Sequence, residues 1–148
     1  MMRVTRRYRF AASHRLHSEH LSEEQNRDLY GKCNNPYGHG HDYTLEVTVA
    51  GPRDRDSGLV APIASLDRLV FEQVLQDFDH RYFNVDVPEF AKLVPTSENI
   101  IRVIENRLKA RWQTVFPNGR PRLEAIRLQE TKRNRFESSK AGVTDEGE

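Results

Sequence analysis

The sequence predicts an α+β domain, and three observations carry that prediction. Residues 3–12 and 41–50 each alternate apolar and polar side chains, the pattern of strands with one wet face. Two later stretches repeat their apolar residues at steps of three and four, the period of helices lying on a core. Alternation then returns in two short segments, 122–130 and 135–138. The resulting order is strand, strand, helix, helix, strand, strand.

Taken in turn, the first strand sets Val4, Tyr8, Phe10 and Ala12 on one parity and Arg3, Thr5, Arg7 and Arg9 on the other. Ser22-Glu23-Glu24-Gln25 reads as a capping box that opens a short helix, and Gly31 is placed to close it. In the second strand, Tyr43, Leu45, Val47 and Val49 face one way, Thr44, Glu46 and Thr48 the other. After a polar turn region from Gly51 to Gly58, Leu66, Leu69, Val70, Val74 and Phe78 define a helix over 65–78. Ile100, Ile101, Ile104, Leu108 and Trp112 define another over 97–113, with Thr96 or Ser97 as its N-cap. Ile126 and Leu128 mark the buried parity of the third strand, and a turn at 132–134 leads to the fourth. Residues 1–138 form a single domain, and the small, polar segment from Ser139 to Glu148 is expected to fray.

Bulk properties narrow the function. With 148 residues, 30% of them charged and 36% hydrophobic, the chain suits one soluble domain with a modest core. A net charge of +1 gives no case for a nucleic-acid tract or a polybasic membrane anchor, and no apolar run is long enough to span a bilayer. The single cysteine, Cys33, forms no internal disulfide, so a cytoplasmic location is expected. Four strands leave sheet edges that copies of the chain would cover.

The informative residues are polar side chains on the apolar parity. His14 continues Tyr8, Phe10 and Ala12, while His39 and His41 precede Tyr43 and Leu45, so all three histidines are expected on the buried side of the sheet. An apolar setting keeps imidazole neutral, the form that ligates a metal. Three imidazoles would leave a fourth tetrahedral position of zinc open, as in catalytic sites; the alternative is three separate, hydrogen-bonded core histidines. The glycine in His39-Gly40-His41 is expected to let another backbone approach. Three roles are open to Cys33: a fourth metal ligand, a base or nucleophile once ionised, or an inert thiol. Asp79-His80, at the end of the first long helix, offers a carboxylate-oriented histidine or simply a partner for the helix dipole. Glu130 continues the Ile126, Leu128 parity and so is expected either to point inward, where a ligand with paired N–H donors, such as a 2-amino-4-oxo pterin edge, would satisfy it, or to stand in water at a fraying strand end.

The segments Phe10-Ala11-Ala12-Ser13-His14-Arg15-Leu16 and Gly31-Lys32-Cys33-Asn34-Asn35-Pro36-Tyr37-Gly38-His39-Gly40-His41-Asp42-Tyr43 resemble the two signatures of the 6-pyruvoyl-tetrahydropterin synthase family. Phe78-Asp79-His80, Pro95-Thr96-Ser97-Glu98-Asn99 and Gln129-Glu130-Thr131 follow in the family's order, so the resemblance covers residues 6 to 131. It implies the tunnelling fold: an antiparallel four-stranded sheet with two helices on one face, whose copies join into a barrel and stack as a homohexamer with active sites between subunits. It also implies Zn2+ on His14, His39 and His41, a catalytic set of Cys33, Asp79 and His80, and a pterin pocket with Glu130 as anchor and Thr96 and Ser97 nearby. The implied substrate is 7,8-dihydroneopterin triphosphate, whose phosphates call for cations such as Mg2+ and nearby arginines.

The spacing Cys-x5-His-x-His and Asn34-Asn35-Pro36 match the pyruvoyl-forming type rather than the related 6-carboxytetrahydropterin synthases of queuosine biosynthesis, whose spacing is shorter. Pro62 and the basic segment 132–135 depart from the family pattern. An enzyme of the same fold that releases hydroxymethyl-dihydropterin is a further alternative. So is a non-catalytic, zinc-stabilised oligomer in which Cys33 closes the metal site.

Overall fold

The computed structural model describes residues 1–139. β1 (Met2–His14) runs antiparallel to β2 (His39–Gly51) in unbroken register, from Met2 opposite Gly51 to His14 opposite His39. β2 pairs antiparallel with β4 (Arg122–Gln129), across a register shift at Thr48/Val49, and β4 with β5 (Arg135–Ser139). A two-residue strand, β3 (Arg81–Tyr82), lies parallel to β1 beside Ala12 and Ser13, giving the order β3-β1-β2-β4-β5. Among the described residues the sheet therefore has five strands and one parallel pair, where four antiparallel strands were expected. Two residues are too few to show an alternation, and β3 exists only because the preceding turn presses it against the edge of β1.

The helices lie where the periodicity put them, with ends shifted by a few residues. α1 (Glu23–Tyr30) opens with the expected capping box: the Ser22 hydroxyl accepts from the Gln25 N–H (3.1 Å), and the Gln25 carboxamide oxygen accepts from the Ser22 N–H (2.9 Å). α2 (Ile63–Val70) starts just after Pro62, whose fixed φ suits a helix start. It continues through a π-helical segment, Phe71–Leu75, into Gln76–Phe78. α3 (Ser97–Val115) is capped by Thr96, whose hydroxyl accepts from the Asn99 N–H (3.2 Å), which settles the choice between Thr96 and Ser97. Two short helical turns, Phe83–Asp86 and Pro88–Ala91, were not foreseen.

One core lies between the sheet and the long helices. Phe10, Tyr43, Leu45, Val47, Ile126 and Leu128 from the strands meet Leu66, Val70, Val74 and Phe78 from α2 and its extension, and Ile100, Ile104 and Leu108 from α3. Phe10 stacks on Tyr43, and Phe78 and Phe83 meet Phe10 edge-on. In β1 and β2 this places the inward parity, including the three histidines, on the helix-covered side and the other parity on the opposite face, while in β4 the register shift turns Leu123 rather than Glu124 inward. Val4 and Tyr8, expected to be inward, are only partly buried, because Tyr8 turns its hydroxyl to Asp67 (2.8 Å) at the margin of the core. Among the described residues no helix is long and apolar enough to cross a membrane. Ser139 closes β5, and the rest of the expected frayed tail lies outside the described residues.

Candidate active site

At the end of the core where β1 stops and β2 begins, four donor side chains converge. One ligand atom each from His14, Cys33, His41 and Glu130 lies within 4.8 Å of all the others. Strand register accounts for the histidines: Ala12 pairs with His41 and His14 with His39, so these alternate cross-strand pairs put the three rings on one face, where they meet edge-on. Cys33 comes from the short 3-10 turn Gly31–Asn34, which the Leu16 N–H ties to β1 by donating to the Cys33 carbonyl (2.7 Å). Glu130 follows the last residue of β4 and keeps its inward direction.

The hydrogen bonds assign the protons. His14 is fully buried, and its Nδ1–H donates to the Pro95 carbonyl (2.8 Å), so Nε2 is left with a free lone pair toward the cluster. His41 Nε2–H lies 3.0 Å from Glu130 Oε1 and 3.1 Å from His14 Nε2, and it donates toward both. Cys33 Sγ stands 3.9 Å from the same nitrogen. The Ser97 hydroxyl donates to the other oxygen of Glu130, so Ser97, unlike its neighbour Thr96, turns into the site.

Electrostatics fit a donor set that can hold a cation. Burial lowers the His14 pKa, against its hydrogen bond to Pro95 and the nearby Glu130, which keeps the ring neutral. Burial works to raise the carboxyl of Glu130, but the hydrogen bonds from His41 and Ser97 outweigh it and hold the group at about 2. Burial, followed by the negative charge of Glu130, pushes the Cys33 thiol up, so in this setting it is protonated. Neutral imidazoles, a thiol and a carboxylate form a donor set suited to a zinc-like ion. Because Cys33 Sγ carries a proton, its ligation of such an ion would be coupled to proton release.

His39 stands beside this set rather than within it. Its ring packs edge-on against that of His41, with centroids 4.7 Å apart, and it also lines a separate cleft with Lys32 and Asn34. The glycine that the site needs for close approach is Gly38, not Gly40. At Gly38 the backbone has φ 84°, and an added Cβ would lie 3.1 Å from Tyr82 Cε2 and 3.3 Å from the His14 carbonyl oxygen. At Gly40 the nearest atom, the Ala12 carbonyl oxygen, is 4.0 Å away, so no close backbone approach depends on it.

Asp79 and His80 occupy a different place. The Asp79 carboxylate accepts from the Ala11 N–H (2.9 Å), and the His80 N–H donates to the Ala11 carbonyl (2.6 Å), so the pair is sewn to the edge of β1. His80 adopts φ 61°, with Nδ1 3.1 Å from Asp79 Oδ1 and a side chain that is 83% exposed. The groove beside it is lined by Ala11, Ser13 and Asp42 of the outward parity and also by Ala12 and His41, so the pair sits at the margin of β1 and outside the four-donor set. Sequence reasoning missed Pro95 and Tyr43, whose hydroxyl lies 3.4 Å from His14 Nδ1, because neither residue type signals chemistry on its own.

Comparison with known proteins follows the same outline. The family model described as 6-pyruvoyl tetrahydropterin synthase matches residues 3–141. The 6-pyruvoyl tetrahydrobiopterin synthase of Homo sapiens is 44% identical over 131 residues, covering 88% of this chain and 86% of its own. The structure of the Caenorhabditis elegans 6-pyruvoyl tetrahydropterin synthase superposes with a TM-score of 0.84 at 36% identity, covering 93% of this chain and 94% of that one. The 6-carboxy-5,6,7,8-tetrahydropterin synthase of Bacillus subtilis is 29% identical over 109 residues, covering 71% of this chain and 68% of its own.

Proposed function

The chain belongs to the 6-pyruvoyl tetrahydropterin synthase family, and on that premise we propose that it is a zinc-dependent lyase converting 7,8-dihydroneopterin triphosphate to 6-pyruvoyl-tetrahydropterin with elimination of triphosphate. The observation that carries this reading is the convergence of His14, His41, Cys33 and Glu130 at the buried end of a sheet matched by the family from end to end. His14 and His41 would hold the ion, with His39 adjoining them as the third imidazole. When bound, zinc supplies Lewis acidity that polarises the hydroxyls of the substrate side chain.

The remaining work falls to protein groups. Pro95 fixes the tautomer of His14, so its Nε2 always faces the site. Glu130, oriented by Ser97, offers the two oxygens that accept paired N–H groups of the pterin edge. Thr96 holds the N-terminus of α3 and so places Ser97. Cys33 takes a proton from the side-chain carbon next to the ring. Its thiol is held up by burial and by Glu130, and a neighbouring positive charge is what would make its thiolate accessible. His80, oriented by Asp79, returns or relays protons. The conversion is an internal redox tautomerisation coupled to loss of triphosphate, so electrons balance without an external reductant.

Asp79 and His80 lie outside the four-donor set of their own chain, and this reading has a neighbouring copy supply them. The homohexamer, with its barrel of joined sheets, is part of the proposal. Support comes from the edges: β1 carries β3 only at Ala12 and Ser13, and β5 is the other margin of the sheet. A stable monomer at micromolar concentration in light scattering would remove this part. A cytoplasmic location belongs to the same reading, supported by a lone, unpaired Cys33.

One observation favours a second reading. Cys33 and Glu130 complete a four-donor set with His14 and His41, which is also how a closed, structural metal site is built. Metal content and turnover of Cys33→Ala separate the two. Retained metal with lost turnover supports the enzyme, whereas loss of metal together with the fold supports a non-catalytic oligomer.

A further inference from the structure

A cleft of about 380 Å³ opens beside His39, lined among others by Arg15, Arg27, Lys32, Glu23 and Asn34. Three cations thus face one carboxylate, in a chain whose overall charge is only +1. Two of them are sequence neighbours of the candidate site: Arg15 follows His14, and Lys32 precedes Cys33. Arg15 is held in place, since Asn84 clamps its backbone N–H and carbonyl (both 2.8 Å) and its Nε donates to the Asn34 carbonyl (3.3 Å). Arg27 arrives from the last turn of α1, whose capping box sets the helix against this wall.

We propose that this cleft is the subsite for the polyphosphate tail of the substrate, with Arg15, Arg27 and Lys32 as its phosphate-binding cations. The inference rests on the synthase reading of the neighbouring cluster. Contacts run in an order that suits the substrate: Glu130 meets His41 (3.0 Å), His41 packs on His39 (4.7 Å between centroids), and His39 lines the cleft. A pterin ring anchored at Glu130 would carry its three-carbon side chain past Cys33 and the histidines, and the phosphate ester beyond them would meet the cations. Arginine suits this task because its planar fork binds phosphate oxygens in pairs, and Lys32 adds a point charge.

Calorimetric titration of the full chain with inorganic tripolyphosphate tests the assignment without requiring turnover. The double variant R27Q/K32Q removes two exposed cleft cations, and R53Q/R55Q removes two exposed arginines from the 51–58 loop as a control for charge alone. Charge-assisted hydrogen bonds of this kind lead us to expect binding weakened about tenfold per cleft cation, hence about 100-fold in R27Q/K32Q, with the control within about twofold of wild type. With substrate, R27Q/K32Q should raise KM far more than it lowers kcat. Equal weakening by both doubles, or none by either, overturns the subsite. If wild type turns over and R27Q/K32Q leaves KM unchanged, the subsite fails and the synthase reading stands. Selective tripolyphosphate binding by a chain without turnover keeps the anion site and overturns its assignment to this substrate.

Discussion

Replacing Arg107 by methionine should loosen the frame that carries both halves of the proposed chemistry. From α3, Arg107 reaches the π segment and the Pro88–Ala91 turn at once. Its Nε and Nη2 bind Glu89 (2.6 and 2.7 Å), and Nη1 donates to Asp77 (2.6 Å) and to the Gln73 carbonyl (3.0 Å), a π-segment carbonyl outside the regular α-helical pattern. The guanidinium also lies 5.2 Å from the Phe78 ring centroid. Arg107 is 17% exposed but its acidic partners are 36% and 51% exposed, so the ion pairs are screened and contribute about 0.2–1 kcal/mol each. The charged bond to Gln73 adds about 1.5 kcal/mol, and the cation–π contact about 0.5 kcal/mol. Since these terms overlap, the loss should total roughly 2–3 kcal/mol, or a Tm lower by about 4–12 °C for a chain of this size. Methionine keeps most of the apolar stem, so packing is disturbed little. The hydrogen bond from Arg107 holds Glu89 below its ordinary pKa, so its stabilisation is complete above the unfolded carboxylate value of about 4.3 and fades as pH falls through the folded value. Denaturant unfolding at a series of pH values should therefore show a gap between wild type and R107M that is level from pH 7 to about 4.3 and narrows below it. A gap below about 0.5 kcal/mol at pH 7, or one that widens in acid, would refute the reasoning.

The other predictions concern the site and its support. G38A should cost about 1–3 kcal/mol through its positive φ and the contacts at Tyr82 and His14, whereas G40A should stay within about 1 kcal/mol; paired thermal melts would expose equal effects as a contradiction. L128A empties a fully buried position two residues before Glu130 and should cost about 2–5 kcal/mol in urea unfolding, a range that a surface-like change of about 0.5 kcal/mol would rule out. H80A, at an exposed side chain, should leave Tm within about 2 °C while turnover falls at least about 100-fold, and full activity in steady-state assay would remove His80 from the mechanism.

Much of the site was legible because β-strand parity is a strict rule. Once Phe10 and Tyr43 are core residues, His14 and His41 must share their face, and the observed register adds only that Ala12 and His41 are opposite. Glu130 was readable for the same reason, one step past the end of β4. What escaped were consequences of tertiary contact. β3 is two residues long, and its pairing comes from the turn at His80 rather than from any pattern of its own. The π segment is hidden because Leu69, Val70, Val74 and Phe78 keep three- and four-residue steps through it. The separation of Asp79-His80 from Cys33 depends on which edge the α2 extension returns to, and no periodicity encodes that. Gly38 and Gly40 look alike in sequence, and only the approach of Tyr82 and the His14 carbonyl tells them apart.

The most direct test of the central claim is mass-spectrometric identification of the product formed when zinc-loaded protein is incubated with 7,8-dihydroneopterin triphosphate without oxygen, with Cys33→Ala alongside. The account predicts released triphosphate and a tetrahydropterin that keeps all three side-chain carbons, formed by wild type and abolished in the variant. A carboxylated product with two carbons expelled would contradict it in favour of the carboxy-forming branch, and unchanged substrate in the wild-type reaction would contradict it altogether.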